Sequence, residues 1–278
     1  MTERSEENAK WPGGKTNSAN VMNERRSLSE EMPEEKAREA LRSRSRRGFI
    51  LGGIAAAAGV LGWRALPDET KVRFLQSVFR FNERVTSAFY SPTRLAKEFP
   101  VEKVTRPARV NGMIGIENEI DLAAWRLRIG GIEGRTDDLE LTLDDIRKLP
   151  RVETVNEFKC IEGWSTIVHW TGARFSDLVA AVTPWKTPEA MPPYVSLATP
   201  DGGYFVGWDT ASIMHPQTLL VYEMNGEPLT SEHGAPLRLA SPTKYGIKQI
   251  KRIGRIDLTR ERPQDYWANE GYDWYSGL

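Results

Sequence analysis

The stretch EFKCIEGWST, Glu157 to Thr166, carries the only cysteine among 278 residues and sets it beside acidic, aromatic and glycine residues rather than aliphatics. A lone cysteine is often an inert small hydrophobe. Here the adjacent Lys159 is a cation able to favour a thiolate, and Gly163 with Trp164 implies a tight backbone turn around a pocket. A soft thiolate suits a soft or highly charged metal, and a metal with a single protein ligand has to be held mainly by an organic cofactor. On the residues alone, a packed thiol and a metal ligand both stay open. One cysteine excludes an intramolecular disulfide, and the three histidines, His169, His215 and His233, form no cluster of structural-zinc type.

The elements on either side of this stretch are short. WRLRIGG (Trp125 to Gly131) alternates as a strand does, Thr142 in LTLDDIRKLP is placed to cap a short helix ended by Pro150, and RVETVNEFKC is a second strand. GARFSDLVAAV reads as a helix, PYVSLATPDGGYFVGW as strand, turn and strand, and TLLVYEMNGEPL as a strand entering an Asn225-Gly226 turn. The fold class expected is α+β. GxGxxG and P-loop patterns are absent, which argues against a dinucleotide fold. The 38 basic residues balance the 38 acidic ones, so net charge offers no footprint for nucleic acid.

A second chemical stretch runs from His233 to Pro263. It sets His233, Arg238, Lys244, Lys248, Lys251 and Arg252 beside Gly234 and Gly246, a mixture that suits a phosphate-bearing ligand gripped by charge and backbone N–H groups. A solvated basic face is the simpler reading, but the apolar spacing at Ile247, Ile250, Ile253 and Ile256 speaks against it. His169 on a strand and His215 before Pro216 are expected to be structural.

The N-terminus divides into three parts. Residues 1–43 are polar, with too few apolar side chains to offset the entropy of ordering, and are expected to be disordered. Residues 44–66 hold Arg46-Arg47, then Gly48-Phe49-Ile50 and a charge-free run to Trp63, the pattern of a twin-arginine export signal or a membrane anchor. Such export carries folded proteins, typically with a cofactor already inserted. Residues 67–100 form an amphipathic helix and linker, with Val72, Leu75, Val78, Phe79, Val85 and Phe89 at helical spacing. The ordinary meaning of that stripe is core packing, and a surface for a membrane or a membrane partner is the alternative.

FKCIEGWS, HPQTLLVYEMNGEPL, HGAPLRL, KYGIKQIKRI and LTRERPQDYW, in that order, resemble the molybdopterin-binding domain of the sulfite oxidase superfamily. Within it the likeness is to the exported bacterial branch of periplasmic methionine-sulfoxide reductase type. The resemblance covers about Arg106 to Trp267, within a domain taken as residues 101–278. It implies a fold of short mixed strands and helices, a molybdenum-molybdopterin cofactor, and Cys160 as the metal's thiolate ligand and catalytic residue. It also implies cofactor binding through Asn111, Ile114, Gly115, Thr199, His233, Arg238, Gln249, Ile250 and Lys251, with Arg238 and Lys251 meeting the phosphate.

Sulfite-oxidising members follow their cysteine with a cationic segment. This chain has Ile161-Glu162-Gly163-Trp164, a poor match for a dianion, whereas the reductase pattern Cys-x-Glu-x-Trp-Ser is met by Cys160, Glu162, Trp164 and Ser165. His233 stands where the reductases carry an amide, which leaves room for a different substrate.

The expected activity is oxygen-atom transfer, reduction of a small sulfoxide or N-oxide, on the periplasmic side. No haem domain is visible in the sequence, so electrons are expected from another protein, and the resemblance implies a membrane b-type cytochrome as that partner. A sulfite or other oxyanion dehydrogenase, and an exported binding or electron-relay protein without turnover, are the alternatives.

Overall fold

The computed structural model describes residue 49, residues 52–185 and residues 187–278. The expected disorder of residues 1–43 and the Arg46-Arg47 pair lie outside the described residues. The chain divides into two units, Met1–Pro67 and Asp68–Leu278. In the first, residues 52–65 are helical, and among the described residues no helix is long and apolar enough to cross a membrane.

The second unit opens with helix α1 (Asp68–Phe89), which buries none of its residues. Core packing, the ordinary meaning of its apolar stripe, is therefore not what the helix does. Val72, Leu75, Phe81 and Phe89 stand exposed and Val78 and Phe79 are half-buried, because α1 touches the rest of the unit along a narrow seam. In that seam Glu83 pairs with Arg262 at 2.9 Å, Thr86 abuts Gly277, and the hydroxyl of Tyr90, just past the helix, donates to the carbonyl of Ala211 at 2.8 Å.

Two sheets follow. In the first the order is β2 (Leu139–Leu141), β1 (Leu127–Gly130), β10 (Arg255–Thr259), β5 (Tyr194–Ala198) and β6 (Phe205–Asp209), with β1 and β10 parallel and the other pairs antiparallel. The second is wholly antiparallel: β3 (Arg151–Lys159), β4 (Ser165–Arg174), β7 (Leu219–Met224) and β8 (Glu227–Pro228), with β9 (Arg238–Ala240) on β7. Helices α2 (Leu143–Arg147), α3 (Phe175–Val182), α4 (Thr210–Ile213) and α5 (Tyr266–Asn269) are short. The mixed α+β class read from the sequence is the class observed.

Local signals act where they stand. Thr142 and Asp145 form a reciprocal capping box at the start of α2, satisfying donors that the first turn would leave unpaired. Asn225 and Gly226 both take positive φ, the geometry a two-residue hairpin turn requires between β7 and β8. The main core joins Leu127, Ile129 and Ile256 from the first sheet to Ala173, Leu220 and Leu239 from the second. A smaller apolar cluster, with Phe158, Val168 and Trp170, closes around Cys160.

Two lysines of the basic stretch turn inward rather than toward a ligand. Lys244 Nζ meets Asp209 Oδ2 at 2.8 Å and lies over the ring of Tyr275, while Lys248 Nζ meets Asp265 Oδ2 at 2.5 Å and lies over Trp274. Both are fully buried, and they fasten residues 265–278 to β6 and its flanks. Arg252 is structural too. It donates to the carbonyl of Ala235 and the hydroxyl of Ser231.

Candidate active site

Cys160 directly follows β3, at the start of the turn that leads into β4. Its amide donates to the carbonyl of Trp164 at 2.9 Å, and its carbonyl accepts from Gly163, whose φ of +86° closes the turn. Cys160 as a residue is 5 % exposed. Its sulfur lies 3.8 Å from both the Asn111 amide and the Glu162 carboxylate. Burial pushes the thiol pKa up and the Glu162 charge adds to that, with partial relief from a backbone hydrogen bond and from Arg109. Lys159 takes no part, since its ammonium is 3.8 Å from Glu157. The thiol is therefore protonated when bare, and a bound metal cation is what would deprotonate it.

The sulfur opens onto a chamber of about 170 Å³. Asn111, Ile114, Cys160, Arg238, Gln249 and Lys251 line it, and a recess of about 20 Å³ continues past Asn111, Arg238 and Lys251 to His233. Three of the residues singled out in the sequence line neither space. Gly115 packs against Thr199, Thr199 ties its own turn by donating to Asp201 at 2.6 Å, and the Ile250 side chain is wholly buried in the core. Gln249 lines the chamber and also donates to the carbonyls of Ser241 and Lys244.

Charge at the recess is one-sided. Arg238 is buried, donates to the carbonyl of His233 at 3.0 Å, stacks 4.7 Å from the Trp170 ring and leaves its Nε without a partner. Its pKa is lowered to about 10 by burial alone. Lys251 donates to the carbonyls of Asn111, Gly112 and Glu232, and burial followed by Arg238 lowers its pKa to about 7. The same effects, burial first, then Arg238 and Lys251, hold His233 down at about 4. No acidic side chain forms an ion pair with Arg238 or Lys251 among the described residues. A buried guanidinium without a counter-charge is costly, and a phosphate would supply the missing charge and acceptors.

Two glycines shape the walls. A Cβ on Gly234, whose φ is +98°, would come within 2.7 Å of Lys251, and a Cβ on Gly246 would enter the Phe158 ring. At the mouth stand Ile161, Trp267 and Tyr272, with the two aromatic rings 5.2 Å apart. Tyr204 closes one side and donates its hydroxyl to the carbonyl of Ile247 at 2.5 Å. Outside the turn, Arg109 lies 4.1 Å over the ring of Trp164, whose Nε1 donates to Glu162 at 2.9 Å. Sequence reasoning did not single out Arg109 or the mouth aromatics, which reach the site from distant loops. Only the Cys-x-Glu-x-Trp pattern pointed to Glu162 and Trp164.

Residues 114–267, more than half of the chain, match the oxidoreductase molybdopterin-binding domain family. The chain belongs to that family. A protein of Azospira oryzae that carries the name of a protein-methionine-sulfoxide reductase subunit, YedZ1, is 33% identical over 86% of this chain and 88% of its own. The catalytic subunit MsrP of the protein-methionine-sulfoxide reductase of Campylobacter jejuni is 33% identical over 59% of this chain and 60% of its own. The solved sulfane dehydrogenase SoxCD of Paracoccus pantotrophus aligns with a TM-score of 0.46 at 21% identity over 52% of this chain and 40% of its own, a likeness too slight to carry an argument.

As a member of this family the chain is an enzyme with a molybdenum-molybdopterin cofactor, and the site fits that group on its own chemistry. A thiol that needs a metal to ionise stands at one end, and an acid-free cationic recess with an orphaned Arg238 Nε stands at the other. The spaces are smaller than the few hundred Å³ of most ligand sites. The fit therefore rests on donor chemistry.

Arg238→Met is expected to separate holding the cofactor from holding the fold. It removes a buried unpaired charge, so thermal stability of the cofactor-free protein should stay level or rise, while retained pterin falls by roughly tenfold or more, the worth of a charge-assisted hydrogen bond. Equal loss of stability and pterin would contradict this.

His233 gives a pH signature. Its pKa is 6.5 in the unfolded chain and about 4 when folded, so as pH falls the unfolded state binds the proton first. Stability of the cofactor-free protein should therefore decline as pH drops from 6.5 toward 4, and His233→Gln should lose that part of the slope in denaturant titrations.

Proposed function

We propose that the chain reduces a neutral organic sulfoxide, of the methionine sulfoxide kind, by removing its oxygen at a molybdenum held by Cys160. The observation that carries this is the Glu162 carboxylate 3.8 Å from the sulfur, in a chamber whose mouth is lined by Ile161, Trp267 and Tyr272. A carboxylate at that distance opposes an oxyanion, and an aromatic rim favours a thioether body. The names of the two relatives support the same substrate class.

When bound, molybdenum supplies the oxygen acceptor and the redox couple. The chain supplies position, polarity and access. Cys160 presents its sulfur from a turn fixed by the Cys160 to Trp164 hydrogen bond, and Trp164 fixes the Glu162 carboxylate. Tyr204 is spoken for by Ile247, and its pKa is pushed far above the usual phenol range by burial and by Asp265, so it keeps its proton. Glu162, the one carboxylate among the chamber's lining residues, is placed to pass solvent protons as the sulfoxide oxygen leaves as water. The electrons come from a donor outside this chain.

We place that donor in the membrane, as a b-type cytochrome, with the enzyme exported by the twin-arginine route to the periplasmic side. Arg46-Arg47 followed by a charge-free run to Trp63 supports the export.

The test is anaerobic oxidation of a reduced viologen with a neutral sulfoxide, beside sulfite-dependent reduction of ferricyanide. Sulfoxide turnover with no sulfite turnover is expected. Glu162→Gln should narrow the discrimination against sulfite as a competitive inhibitor by roughly fivefold, from ~1 kcal/mol of repulsion at a partly solvated site. Sulfite turnover above sulfoxide turnover in the wild type would sink the reading in favour of an oxyanion dehydrogenase.

A further inference from the structure

Helix α1 carries a second surface that the catalytic chemistry does not use. Phe81, Val85 and Phe89 recur every four residues and are 63%, 39% and 75% exposed. Phe81 and Phe89 stand most open, while Val85 is partly covered. A contiguous apolar strip on an otherwise docked helix marks an interaction surface.

The arginines say what kind. Arg73, Arg80 and Arg84 precede an apolar residue in each case, so at about 100° per residue they form a row running beside the apolar strip. Arg80 and Arg84 make no ion pair among the described residues, and Arg73 reaches Glu69 only at 3.7 Å. A protein groove would take the apolar strip and has no need of a parallel row of arginines, two of them without an ion pair among the described residues. A bilayer surface takes both, with rings in the acyl boundary and arginines snorkelling to lipid phosphates. The opposite side of the helix is held by the Glu83–Arg262 pair and by Thr86 against Gly277, leaving the strip and the row facing outward together.

We infer that α1 lies on the surface of an anionic bilayer. Because α1 is fastened to residues 262–277, and Trp267 and Tyr272 of that segment line the chamber mouth, docking fixes the mouth relative to the membrane. The inference is independent of which substrate is reduced.

The test uses the full chain and vesicles of phosphatidylcholine with or without phosphatidylglycerol. Binding to the anionic vesicles should fall by roughly tenfold or more in Arg80→Gln/Arg84→Gln, and by a comparable factor in Phe81→Ser/Phe89→Ser. Both variants should keep wild-type turnover with a soluble reductant. Because residues 44–66 could bind vesicles by themselves, a nitroxide on Val85→Cys supplies an independent reading; the native Cys160 is buried. The label should be open to an aqueous relaxation agent in solution and shielded from it on anionic vesicles.

Three results would overturn the inference. A label still open on bound vesicles would assign all binding to the N-terminal segment. A label shielded before lipid is added would mean that residues 1–48 or a second copy covers the strip. A label shielded only in proteoliposomes carrying a membrane protein would give the surface to that protein.

Discussion

Cys160→Ala should lower sulfoxide turnover by at least about a thousandfold, to background, in a protein that remains folded and keeps most of its pterin. Cys160 to Trp164 is closed by backbone bonds and by Gly163, none of which needs the sulfur, so alanine leaves the hairpin intact. Among the described residues the sulfur makes two distant polar contacts, at 3.8 Å, so its loss costs little hydrogen bonding. The pterin phosphate is expected at the Arg238 recess, away from the substitution. Electronic control of the metal is what disappears. Circular dichroism, pterin fluorescence after oxidation and viologen turnover separate these, and a Cys160→Ala protein with turnover within tenfold of wild type would contradict the assignment.

Asp265→Ala should be the most destabilising single change outside the chamber, costing about 3–5 kcal/mol. Asp265 is 1% exposed and does three things: it neutralises the fully buried Lys248, accepts from the Gly207 amide at 3.1 Å, and caps α5 through Ala268. Alanine leaves an ammonium in the core with no counter-charge, and on a unit of this size the expected fall in Tm is roughly ten degrees. Lys248→Met with Asp265→Leu should recover most of it, because removing both charges leaves neither stranded. Since α5 carries Trp267 to the mouth, the single variant should also raise KM more than it lowers kcat. A loss under about 1 kcal/mol in denaturant titration would contradict this account of the clasp.

What could be read from the sequence was local or carried by a spaced pattern. Thr142 as a helix cap, the Asn225-Gly226 turn and the strand at RVETVNEFKC depend on neighbours within a few residues, so their signals sit side by side in the chain. The joining of Cys160, Asn111, Arg238 and Lys251 in one place came from the family resemblance, since no spacing rule links residue 111 to residue 251. Lys244 and Lys248 look like Lys251 in sequence. What sends them inward is Asp209 and Asp265, 35 and 17 residues away, whereas Lys251 pairs with no such acid among the described residues. The α1 stripe has the period of a core helix, and periodicity cannot distinguish a face that meets protein from one left outside. Arg109 and Tyr272 joined the site through tertiary packing alone.

The central claim is that Cys160 is the protein's ligand to molybdenum, and X-ray absorption at the molybdenum edge tests it most directly. Purified wild type and Cys160→Ser, both loaded in a host that makes the cofactor, should differ by one sulfur in the shell around the metal, with the wild type holding the extra one. Equal sulfur shells in the two proteins, with molybdenum present in both, would contradict the claim and leave Cys160 as a packed thiol in a cofactor site held by Arg238 and its neighbours.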